Sequence, residues 1–149
     1  MQTVTVRHMI RAPIEKVFDL ISDHANYKQF PGVSDSRLVK LGSPSRNGAG
    51  AVRQVRSGLA RFTEEITRYE RPTRMDYLIT RSFPPLRHQG GTVRLEKTPD
   101  GTLVTWTTIM EAKIPVLGRL LTPVFARMLT KGFDEILRDI ERRLNVRES

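Results

Sequence analysis

Ala12-Pro13-Ile14-Glu15-Lys16-Val17-Phe18-Asp19-Leu20-Ile21-Ser22-Asp23 decides how the rest of the chain is read. Proline suits the first position of a helix, where its missing N–H costs nothing. Ile14, Val17, Phe18 and Ile21 then recur at helical spacing. Upstream, Val4, Val6, His8 and Ile10 alternate with Thr3, Thr5, Arg7 and Met9, which predicts a half-buried strand. Downstream, Asp23 is placed to cap a second short helix carrying Tyr27 and Phe30, ended by Pro31-Gly32.

Beyond Val33 the apolar period shortens to two. Strands are predicted over Ser34–Leu41, Ala51–Ser57, Ala60–Tyr69, Met75–Ser82, His88–Lys97 and Thr102–Ala112. Gly42 to Gly50, Gly58, Arg71-Pro72, Pro84-Pro85 and Pro99-Asp100-Gly101 separate them as turns, so consecutive strands form an antiparallel meander. The chain closes with a segment from Leu117 to Val146 whose apolar residues fall three and four apart. Thr122-Pro123 reads as a cap and a first-turn proline, so the main helix is expected from Pro123 to about Asn145. Such a helix is about 35 Å long, enough to cross a small sheet and cover its inner face. The expectation is one α+β domain over residues 1–149: a sheet of about seven strands wrapped around a long C-terminal helix, commonly with an apolar cavity between them.

Composition limits the chemistry. The chain has no cysteine, which excludes disulfides, thiolate nucleophiles and cysteine-ligated metals. Its 25 Lys+Arg against 16 Asp+Glu give a net charge of +9, a surface suited to anions, acidic partners or anionic lipid headgroups. The arginines occur singly, without blocks of like charge, zinc-finger spacing or an RNA-binding aromatic motif, so nucleic acid is not an expected partner. No stretch of about 18 apolar residues appears, so no transmembrane helix is expected. The N-terminus lacks a basic head and apolar stretch, and a cytoplasmic protein is the expectation.

Candidate site residues follow from the strands. With Gly58-Leu59 as a two-residue loop, Ser57 faces Ala60, Val55 faces Phe62 and Arg53 faces Glu64. An Arg–Glu pair then shares one face with Val55 and Phe62, either as a structural ion pair or as a ligand-orienting one. His8 shares its strand face with Val4, Val6 and Ile10, where a cavity wall is expected. His8 and Glu64 are the candidate proton carriers should the protein be an enzyme. Tyr77 and Trp106 lie on inward faces, as core or as stacking surfaces for a ligand. Phe125, Met128, Leu129, Gly132 and Phe133 form the helix side of the expected pocket. The three histidines share no metal-ligand spacing, so neither a metal nor another cofactor is expected. No nucleophile elbow, phosphate loop or dinucleotide fingerprint occurs.

The Ala12–Asp23 segment, Asn26-Tyr27-Lys28-Gln29-Phe30-Pro31-Gly32-Val33, Gly50-Ala51-Val52-Arg53 and Glu64-Glu65-Ile66-Thr67-Arg68-Tyr69-Glu70-Arg71-Pro72, in that order, resemble the START-like (SRPBCC) superfamily. The resemblance is to its bacterial polyketide cyclase/dehydrase and lipid transport group, from Val4 to about Leu144. It implies a helix-grip fold whose members hold lipids, sterols, polyketides, plant hormones or quinones between sheet and helix. Arg53 and Glu64 match the arginine and glutamate of the group's motifs, and Tyr27 to Gly32 also looks like the coenzyme Q-binding branch. The implied function is binding or transport of a hydrophobic or amphipathic small molecule. Two alternatives stay open: a polyketide cyclase, aromatase or dehydratase using the same cavity, and a basic module docking an acidic partner or making peripheral contact with an anionic membrane surface. Fold alone does not choose between them.

Overall fold

The computed structural model describes residues 1–148, leaving Ser149, the last residue of the expected domain, outside the described residues. Seven strands, β1 (Gln2–Ile10), β2 (Asp35–Lys40), β3 (Val52–Ser57), β4 (Ala60–Glu70), β5 (Arg74–Phe83), β6 (Leu86–Thr98) and β7 (Gly101–Ala112), form one sheet. Its order is β1-β7-β6-β5-β4-β3-β2, antiparallel throughout. Only β1 departs from the meander: it crosses to pair with the last strand, so that the two ends of the strand sequence meet. Helix α1 (Ile14–Ile21) and a 3₁₀ helix (His24–Gln29) follow β1, and helix α2 (Gly118–Glu148) closes the chain. This is the α+β helix-grip architecture.

Local chemistry accounts for most of these boundaries. The four apolar positions of α1 are all buried, although Pro13 is its N-cap and Ile14 its first helical residue. The second helix is a single 3₁₀ segment. Asp23 does not cap its backbone, and its carboxylate instead accepts from the Asn26 side chain at 2.8 Å. In β7 the burial alternates without a break from Gly101 to Ala112. Gly58 has φ 59, the positive value that the first residue of a two-residue hairpin loop requires.

The start of α2 differs from the expected one. The helix begins at Gly118 and Pro123 lies inside it. Thr122 caps no helix: its hydroxyl donates to the Gly118 carbonyl at 2.7 Å and accepts the Ala112 N–H at 3.0 Å. The hydroxyl thus ties the end of β7 to the first helical turn, and a proline this near the N-terminus removes only one helical hydrogen bond.

Phe133, Ile136, Leu137, Ile140 and Leu144 bury the C-terminal half of α2 in the core. The helix packs along β1 and β7. The concave face of β3, β4 and β5 is left beyond its edge, and the space between holds the candidate site.

Candidate functional site

A cavity of about 360 Å³ lies between this part of the sheet and residues 128–136 of α2. Its volume is within the range of small-molecule sites. Apolar walls come from Val55, Phe62, Ile79 and Trp106 on the sheet and Leu129 and Phe133 on the helix. The exposed rim includes Pro31, Ser57, Met128 and Lys131.

One charged pair is set into these walls. The β3–β4 register pairs Arg53 with Glu64, Val55 with Phe62 and Ser57 with Ala60. Arg53, 1% exposed, donates from Nε to Glu64 Oε1 at 2.7 Å. Its guanidinium lies 4.7 Å from the Tyr27 ring centroid and 5.5 Å from that of Tyr77. Burial is the largest single influence and works against the Arg53 charge, but Glu64 and Tyr27 together outweigh it, so the guanidinium is held charged.

His24 completes this cluster. Its Nε2 bonds the Asn47 carbonyl at 2.8 Å and its Nδ1 lies 3.1 Å from Arg53 Nη1. Both contacts are satisfied by one tautomer, protonated on Nε2, with Nδ1 accepting from the arginine. Burial, reinforced by the adjacent Arg53 charge, lowers the His24 pKa from 6.5 to about 3. His24 therefore serves as a neutral acceptor that fixes the arginine.

A second polar group sits on the cavity wall. Trp106 Nε1 donates to Tyr77 Oη at 2.9 Å, and the Tyr77 and Thr108 hydroxyls share a hydrogen bond at 2.5 Å. Burial, and then the Glu64 charge, push the Tyr77 pKa above its usual value and keep the phenol neutral. Trp106 stacks on Phe133 with ring centroids 4.1 Å apart, linking the sheet wall to the helix wall. Gly132 faces the same space, and a Cβ built there meets no atom within 4 Å.

Of the residues expected at the pocket, Arg53, Val55, Phe62, Glu64, Tyr77, Trp106, Met128, Leu129, Gly132 and Phe133 all line this cavity. His8 and Phe125 do not. His8 has the expected inward parity but lies under α2, with Nε2 3.9 Å from Glu141 Oε1. Strand alternation fixes the face on which a side chain sits, not the part of that face the helix covers. Phe125 is half-buried against the core, just before the stretch of α2 that forms the wall. His24 and Tyr27 join the cluster without being among the expected site residues, because their role depends on an arginine far along the chain. Among the described residues no group of three or more His, Cys, Asp or Glu could hold a metal ion.

The chain belongs to the polyketide cyclase / dehydrase and lipid transport family, whose model matches residues 1–145. Its fold is that of the START superfamily. A protein from Thermus thermophilus is similar over 99% of this chain and 100% of its own, with a TM-score of 0.80 and 21% identity. A START superfamily protein from Mycobacterium smegmatis gives a TM-score of 0.74 at 14% identity, over 96% of this chain and 97% of its own. Ara h 8.0201 gives 0.70 at 15% identity, over 97% and 98%. No curated protein sequence matches the chain.

Proposed function

We propose that the protein binds a hydrophobic or amphipathic small molecule, lipid-like, polyketide-like or, in its hydroxyl-bearing quinol form, quinone-like, in the cavity between sheet and α2. The observation that carries this reading is an apolar space of about 360 Å³ with one ion pair in its wall. Apolar ligand surface buried there contributes about 25 cal/mol per Å² to binding. Arg53 is already engaged by Glu64, His24 and the Tyr27 ring, which leaves it little to offer an anionic ligand. Among the described residues no hydrogen bond reaches Glu64 Oε2. That oxygen is an acceptor for a ligand hydroxyl, so the ligand carries a neutral donor at its polar end. Of the two candidate proton carriers, only Glu64 faces the cavity, which favours binding over acid–base turnover.

Native mass spectrometry of the purified chain, followed by organic extraction, tests the proposal. The expected result is a discrete apolar compound bearing a hydroxyl, together with saturable uptake of the neutral probe N-phenyl-1-naphthylamine. A protein that carries nothing and has no affinity for the probe would overturn it.

A further inference from the structure

The outer face of the sheet holds a second concavity, of about 630 Å³, across β2 to β5. Residues alternating with the cavity-facing ones point away from α2: Gln54 and Arg56 on β3, Arg61 and Thr63 on β4. The ladder extends this face with Arg37 opposite Gln54, Arg81 opposite Thr63 and Phe83 opposite Arg61. Four guanidinium groups from four neighbouring strands therefore border one bowl. Arg61 lies over the Phe83 ring, 5.9 Å from its centroid, and that ring is 52% exposed.

The charges in the bowl do not balance. Asp35 is the carboxylate among its lining residues. It stands opposite Arg56 on the ladder, yet its ion pair, at 3.5 Å, is with Arg37. Arg56, Arg61 and Arg81 form no ion pair among the described residues, whereas Arg68 and Arg74 are each held by a carboxylate within 3 Å. Moreover, Arg56 and Arg61 are direct cross-strand partners. Like charges in that position destabilise a sheet, and an anion held between them would remove the cost.

We propose that this bowl binds a phosphate-bearing ligand. Arg56 and Arg61 would clasp one phosphoryl group, with Arg37 and Arg81 flanking it. Planar guanidinium forks match phosphate oxygens two at a time, and the Cβ atoms of directly opposed residues stand about 5 Å apart, so these two long side chains share the reach needed to meet on one anion. The exposed Phe83 ring gives an adjoining apolar portion of the ligand a surface. The four arginines of the bowl alternate with the cavity-facing residues and so lie on the opposite face of the sheet, with Val55 and Phe62 bordering both spaces.

A soluble phosphate ester and a lipid headgroup present the same chemistry, and two probes separate them. The full chain is titrated calorimetrically with sodium pyrophosphate at about 0.15 M ionic strength, and floated with phosphatidylcholine vesicles containing phosphatidic acid. Saturable binding to at least one probe is expected, weakened about tenfold or more in Arg56→Gln/Arg61→Gln. Arg7→Gln/Arg94→Gln removes the same charge from outer-face arginines outside the bowl, Arg7 on β1 and Arg94 on β6 opposite Arg74, and should leave binding nearly unchanged. Pyrophosphate binding assigns a soluble ligand; binding to the vesicles alone, lost in the same variant, assigns a headgroup. Binding to neither probe, or equal weakening in both variants, overturns the proposal. Relief of the like-charge pair should also raise the phosphate-free Tm of Arg56→Gln/Arg61→Gln by about 1–3 °C; a lower Tm would refute the repulsion on which the proposal rests.

Discussion

Arg53 Nε and Glu64 Oε1 meet at 2.7 Å directly across the β3–β4 ladder, with both side chains facing the cavity. Two charges removed from water in this way hold each other, and neither is stable alone. Breaking a buried pair from one side costs about 3–5 kcal/mol, whereas replacing both partners with apolar residues of similar size is often nearly neutral. Arg53→Met and Glu64→Leu should each lower the urea midpoint sharply, and the double variant should recover most of the loss. Additive losses in this cycle would show that the two groups act independently.

Gly132 is the position where the helix wall is thinnest. Glycine in a helix interior is less favourable than leucine by roughly 0.5–1 kcal/mol, and a Cβ at this position meets no atom within 4 Å. Gly132→Leu should therefore keep or raise stability while filling the cavity, and uptake of N-phenyl-1-naphthylamine should fall by about tenfold or more. Unchanged probe affinity in a folded variant would place the ligand elsewhere.

His24 makes stability depend on pH. Its pKa is lowered from 6.5 to about 3 by burial and by the Arg53 charge, so between these values the unfolded chain binds a proton that the folded chain does not. The contribution is complete above about pH 6.5 and is lost as pH falls towards 3, at up to about 1.4 kcal/mol per pH unit. His88, lowered to about 4 by burial, acts in the same direction. Urea midpoints measured from pH 6.5 down to pH 5, above the carboxylate range, should decline steadily. The slope should be visibly shallower in His24→Gln, and equal slopes would mean that His24 is protonated in the fold.

The sequence made some of this geometry readable and not the rest, for physical reasons. The Arg53–Glu64 register was legible because a glycine at a two-residue turn fixes the pairing of every later position along the hairpin. The inward parity of His8 was legible too, but its distance from the cavity depends on α2 lying along β1 and β7. The usual preference of proline for a first turn points to the wrong start for α2: the helix already begins at Gly118, and the Thr122 hydroxyl, instead of capping, joins Ala112 N–H to the Gly118 carbonyl. His24 carries no local signal at all: its partners, Asn47 and Arg53, are brought to it by the folded sheet.

Gly90 and Gly91 on β6 show how closely the wall is fitted around Tyr77. Gly90 has φ 134 and lies at the register shift between β6 and β7. Gly91 is opposite Tyr77 on the ladder, and a Cβ there would overlap the tyrosine ring. The backbone cannot retreat freely, because Gly91 is also paired with Thr108 on β7. In Gly91→Ala the ring has to move, and its hydroxyl leaves Trp106 Nε1 and Thr108 Oγ1 behind. Such overpacking costs about 1–3 kcal/mol. Trp106 is the sole tryptophan of the chain, so its fluorescence reports the change directly. Gly91→Ala should lower the unfolding midpoint and shift Trp106 emission, while Gly91→Ala/Tyr77→Leu, which removes the overlapping ring, should cost less than the two single changes added together. A Gly91→Ala protein with unaltered emission and midpoint would mean that the Tyr77 ring does not lie over this glycine in solution.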